Sequence, residues 1–118
     1  MQILERLRNK RSLFQLNLAY NSIPNSAKVV QNFIECLKSL VTLKGGKINH
    51  LDLTCMVLEG ETVIKLARAF AESTTLCAVH LSQNGIDDLA RQTVLSVFNI
   101  PRSSTLAVEM QPEMTEVN

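Results

Sequence analysis

The stretch LCAVHLSQNGI, Leu76 to Ile86, sets Leu76, Val79, Leu81, Asn84 and Ile86 at successive offsets of three, two, three and two. The same spacing carries Leu13, Leu16, Leu18, Asn21 and Ile23 in LFQLNLAYNSI, and again Ile48, Leu51, Leu53, Met56 and Leu58. A phrase that recurs in this way marks one supersecondary unit used several times, each copy burying its apolar side against the next. Within each phrase the pair of apolar residues two apart reads as a short strand with both turned inward and the residues between them turned outward.

Each phrase is followed by helical periodicity. Asn25 and Ser26 are cap-type residues, and after them Val29, Val30, Phe33, Ile34, Leu37, Leu40 and Val41 recur at spacings of three and four, predicting an amphipathic helix over residues 25 to 43. Gly45 and Gly46, between Lys44 and Lys47, suit a helix exit and lack the GKS/T signature of a phosphate loop. A second helix is expected over about 61 to 72, with Val63, Ile64, Leu66, Ala67 and Phe70 inward. A third is expected over about 88 to 98, with Leu89, Val94, Leu95 and Phe98 inward, and Pro101 blocks its extension. Leu16 and Leu51 are 35 residues apart, Leu51 and Val79 are 28, and Val79 and Val108 are 29, so the first unit is long. Leu106, Val108 and Met110 fit the phrase less well and predict a degenerate fourth strand. Ile3, Leu4 and Leu7 have helical spacing and read as the closing helix of a unit whose strand is missing, as in a truncated array.

A period of 28 to 29 residues with a helix in each copy resembles the ribonuclease-inhibitor-like class of leucine-rich repeat proteins. The resemblance covers about residues 13 to 100, and its motifs are specific for fold rather than function. It implies an α/β solenoid, a short right-handed βα horseshoe with parallel strands on the concave face and helices on the convex face. The expected layout is a single domain over 1–118: a partial N-terminal helix at 1–12, repeats at 13–47, 48–75 and 76–104, and a degenerate strand and tail at 105–118. In this family the asparagine side chain bonds to backbone groups of the turn leaving the strand. Asn21 and Asn84 fit that role, whereas Met56 leaves its turn to be satisfied by water or another group.

Twelve basic and eleven acidic residues give a formal charge of +1, so there is no electrostatic ground for a nucleic-acid or membrane partner. Arg6, Arg8, Lys10 and Arg11 gather near the start and Glu109, Glu113 and Glu116 near the end, the pattern of solvated chain ends. Cys36, Cys55 and Cys77 are an odd number without metal-type spacing, which reads as reduced core or near-core thiols. The first residues lack a continuous apolar run, so neither a secretory signal nor a membrane span is expected. The expected compartment is the cytoplasm, with the nucleus or a cytoskeletal assembly as alternatives.

With the strands in register, outward side chains form three columns: Asn17, Asp52, His80, Glu109; then Gln15, His50, Ala78, Ala107; then Ala19, Thr54, Ser82, Gln111. Asn17, His50, Asp52, Thr54, His80 and Ser82 are the candidate partner-binding residues. His80 between Asp52 and Glu109 is placed for two carboxylates to favour the imidazolium, beside the plainer reading of a solvated polar ladder. Cys77 and His80, three apart, point to opposite faces of a strand, and no further His or Cys completes a ligand set, so no catalytic, cofactor-binding or metal residue is assigned. Met110 and Met114 read as part of a frayed terminus. The expected function is a non-enzymatic module that binds a protein partner. The alternatives are a regulator of a partner enzyme, such as a GTPase activator or inhibitor, and a structural element that self-associates through exposed sheet edges.

Overall fold

The computed structural model describes residues 14–42, 48–98 and 106–110. Strands and helices alternate along the chain: β1 (Gln15–Asn17), α1 (Ala27–Thr42), β2 (His50–Asp52), α2 (Gly60–Phe70), β3 (Ala78–His80), α3 (Asp88–Phe98) and β4 (Ala107–Glu109). The four strands form one parallel sheet in the order β1-β2-β3-β4. Leu16 faces Leu51, Leu51 faces Val79 and Val79 faces Val108. Parallel neighbours require a crossover between them, and one helix fills each crossover. Among the described residues no helix is long and apolar enough to cross a membrane.

The pairing continues past each strand. The Leu18 N–H donates to the Asp52 carbonyl (2.9 Å), that of Leu53 to the His80 carbonyl (2.8 Å) and that of Leu81 to the Glu109 carbonyl (2.7 Å). Two residues on, Tyr20, Cys55 and Gln83 all adopt the left-handed conformation, with φ of 64°, 53° and 60°. This reverses the chain toward the helices in the same way three times. The Tyr20 and Cys55 N–H groups then donate to the Thr54 and Ser82 carbonyls of the following unit, each at 2.9 Å.

Leu51, Leu53, Leu66, Phe70, Val79, Leu81 and Val94 are fully buried between sheet and helices, and burying such a side chain contributes roughly 1.5–3 kcal/mol. Phe33, Leu37, Leu40 and Val41 close the core from α1, while Val30 and Ile64 are only partly buried. At the joint between helix and strand, the buried Ser73 hydroxyl donates to the Val41 carbonyl at the end of α1 (2.6 Å) and accepts from the Leu76 N–H (3.1 Å). The Thr75 hydroxyl bonds the Ile48 carbonyl (3.1 Å). Side chains near the end of the second unit thus satisfy a backbone acceptor of the first, at Val41, and one at the start of their own, at Ile48.

The long first unit divides its extra residues in two places. Eleven residues separate Leu16 from the start of α1, against nine from Leu51 to α2 and from Val79 to α3, and α1 has 16 residues against 11 in each later helix. The expected span 25 to 43 shortens to Ala27–Thr42, with the Ser26 carbonyl accepting the first helical bond, from Val30 (2.9 Å). The third helix matches its expected bounds, but two of its expected inward residues face out: Leu89 is 74% exposed and Leu95 49%. Leu89 lies five positions before Val94, about 140° around the helix, on the solvent side. Leu95 occupies the position of the buried Ala67 one unit earlier, and among the described residues no further helix packs on that flank. Ala90 is buried instead, against the start of α2, where a Cβ added at Gly60 would meet the Ala90 Cβ at 3.0 Å.

The degenerate last phrase does form a strand, and Met110 packs against the core rather than fraying. The expected N-terminal helix, the glycines at 45 and 46, Pro101, Gln111 and Met114 lie outside the described residues.

Candidate functional site

The helices occupy one face of the sheet and leave the other to solvent. On that open face the strands read exposed or half-buried at their outer positions and buried at the central residue of β1, β2 and β3. The first two expected columns are present as drawn. Asn17, Asp52, His80 and Glu109 stand opposite one another, and so do Gln15, His50, Ala78 and Ala107. The parallel register that aligns the buried aliphatic residues aligns these as well, because successive residues alternate between faces.

His80 is the centre of the polar network. Its Nδ1 lies 3.3 Å from Glu109 Oε2, and its ring stands 4.7 Å from that of His50, centroid to centroid, at an interplanar angle of 31°. The Ser82 hydroxyl donates to the other Glu109 oxygen at 3.2 Å. Glu109 is thus the carboxylate within ion-pair distance of His80; Asp52, its register partner on β2, makes no ion pair with it, and the His50 ring packs diagonally across. Glu109 was absent from the candidate residues because it sits on the weakest strand, yet it ties β4 to His80 and Ser82.

Asp52 is engaged locally. The Thr54 N–H donates to Asp52 Oδ1 (2.9 Å), and the Ala19 N–H makes the matching bond to Asn17 Oδ1 (2.9 Å), so both side chains brace the chain as it leaves the strand. Partial burial pushes the Asp52 carboxyl up. Bonds from the Thr54 hydroxyl and N–H, with the fields of His80 and His50, outweigh that and hold it below its ordinary value of 3.8.

The six candidate residues differ in what they offer a partner. Asn17 is exposed, and His50, Asp52, Thr54 and His80 are half-buried. Ser82 is buried, at 4% exposure, with its hydroxyl committed to Glu109, and serves the network rather than an outside contact. Of the three expected core or near-core thiols, Cys36 is buried and Cys55 intermediate, but Cys77 is exposed, because it precedes β3 on the residue that leads into the strand. All three are free thiols. Among the described residues no group of three or more His, Cys, Asp or Glu side chains is arranged to hold a metal ion.

The asparagines take the expected role in the turns, and the other group that the Met56 turn requires is Asn84. Asn84 Oδ1 accepts from the Met56 and Leu58 N–H groups (2.8 and 3.2 Å), while its amide donates to the Leu53, Leu81 and Ser82 carbonyls. The turn containing Met56 is thus satisfied by the asparagine of the next unit. What Met56 withholds is the same service to the first turn: Asn21 bonds only its own Leu18 and Ala19 carbonyls, at 3.0 and 3.2 Å.

Compared with known proteins, the chain matches no family model and no curated sequence.

Proposed function

We propose that this chain is a leucine-rich repeat module of the ribonuclease-inhibitor-like class, a short solenoid that acts without catalysis by holding a partner protein against the open face of its sheet. The solenoid reading draws support from the thrice-repeated left-handed residue after the strand and from the Asn84 bonds that couple consecutive turns. The single observation that carries the function is the in-register, helix-free ladder centred on His50, Asp52, His80 and Glu109. His50, Asp52 and His80 are half-buried, so they are held in place, and with the exposed Glu109 they present ring faces and carboxylate oxygens together, a combination suited to a polar protein surface.

The test is affinity capture from native extract with wild type and the Asp52→Asn, His80→Ala double variant. Asparagine keeps the turn bond seen at Asn17, so the variant removes charge and ring while preserving the fold. We expect a partner bound at least about tenfold more weakly by the variant, or 1.4 kcal/mol, with an unchanged circular dichroism spectrum. Equal capture by both proteins rejects the open face as the binding surface.

A further inference from the structure

A second surface lies away from the open sheet, between the first and second units. Ile23, Pro24, Val30, Val57 and Leu58 line a largely apolar groove of about 390 Å³, with Glu59 at its rim. Two departures from the repeating pattern build it. The loop before α1 is two residues longer than the later ones and supplies Pro24, and Val57 stands where the next unit has Gly85. Both adopt positive φ, 56° at Val57 and 68° at Gly85. Glycine is at ease there, but a β-branched residue is strained. Val57 is nevertheless 75% exposed, so the strain brings no burial of its own side chain. Between the second and third units Gly60 lies against Ala90, where an added Cβ would meet the Ala90 Cβ at 3.0 Å.

The polar groups of the groove are what select its occupant. Thr62, on the first turn of α2, is 8% exposed and lines the groove, yet its hydroxyl makes no hydrogen bond to any described residue. The hydroxyls of Thr42 and Thr93 show the ordinary alternative, bonding the carbonyls of Lys38 and Leu89 four residues earlier, at 2.6 and 2.9 Å. A buried hydroxyl without a partner is costly, and a polar group of an occupant can supply the missing bond. Glu59 precedes α2, makes no capping bond with its side chain, and forms no ion pair among the described residues. By contrast, Glu61, two residues on, is paired with Lys65 at 3.7 Å.

We propose that this groove docks a short peptide segment of a partner protein in which an aliphatic residue is closely followed by Arg or Lys. The aliphatic side chain fills the space walled by Ile23, Val57 and Leu58. A peptide group of the segment satisfies the Thr62 hydroxyl, and the basic side chain meets Glu59. This proposal is independent of the reading of the open sheet face.

A random dodecapeptide phage library selected on the folded chain, followed by fluorescence polarisation with the most enriched peptide, tests it. The expected consensus is Leu, Ile or Val with Arg or Lys close behind. Thr62→Val, which keeps the shape and removes the unpaired hydroxyl, should melt no lower than wild type yet bind the peptide about five- to tenfold more weakly, the range of one hydrogen bond. Glu59→Lys should weaken it about tenfold, and added salt should reduce that difference. Asp52→Asn, His80→Ala should bind it as wild type does. The proposal is overturned by the absence of enrichment, by an acidic consensus, or by binding that ignores Thr62→Val and Glu59→Lys. It is equally overturned by binding lost in the Asp52, His80 variant.

Discussion

Asn84 makes five hydrogen bonds from a position 6% exposed, and Asn21, in the same place two units earlier, makes two from an exposed position. Removing an amide that serves buried backbone groups leaves them unpaired, so Asn84→Ala should cost about 3 kcal/mol, whereas Asn21→Ala should cost about 1 kcal/mol or less. Urea denaturation of the two variants measures the contrast; equal losses would mean the Asn84 bonds carry no special weight. Asp52 gives a pH signature of its own. Its carboxyl is lower in the folded chain than its ordinary 3.8, so near and below that value the unfolded chain binds more protons and stability rises with pH. The contribution is present in full above the ordinary value and is lost as pH falls through the lower folded one. Asp52→Asn should therefore flatten the acid limb of stability against pH, read by urea unfolding from neutral pH downward. Among the candidate residues, the columns were legible because alternate residues must share a face. The stacking of His50 on His80 was not, since these two are diagonal neighbours on adjacent strands and only the ring positions decide whether they touch. The groove hydroxyl of Thr62 was equally hidden: a threonine on a helix normally bonds four residues back, and nothing in the sequence says that this one does not.

The helices pack through what they lack as much as through what they bury. Gly60 opens α2 and lies against Ala90 of α3, with room for nothing larger. Gly60→Val should destabilise by about 1–3 kcal/mol, despite valine's better helix propensity, because overpacking pushes the helix starts apart. Pairing it with Ala90→Gly should recover part of that loss beyond additivity, and a double-mutant cycle by thermal melting measures the coupling. Additive effects would mean the helices do not meet there. Periodicity found all three helices but misassigned Leu89 and Leu95, since a stripe read from sequence does not say which flank a neighbour will cover. For α3 the buried positions are Ala90 and Val94, one of them too small to register as a hydrophobic anchor.

Between units of the described structure, strands meet only consecutive strands and helices only consecutive helices, so stability is shared between neighbouring units. The middle unit has a neighbour on each side, and the outer strands have one. Hydrogen exchange should therefore find the amides of β2 and α2 protected about tenfold more than those of β1 and β4; uniform protection would instead indicate a single cooperative unit. The recurring apolar offsets determined by themselves that strands and helices alternate and which residues of each strand share a face. Those features follow from local spacing and from the need of each unit to bury its apolar side. Only the tertiary structure decided the rest: that Asn84 serves the turn before its own, that Glu109 reaches His80 while Asp52 turns to Thr54, and that a groove opens between the first two units. Each of these depends on how two units meet, a relation of distance and angle that no single phrase of the chain contains.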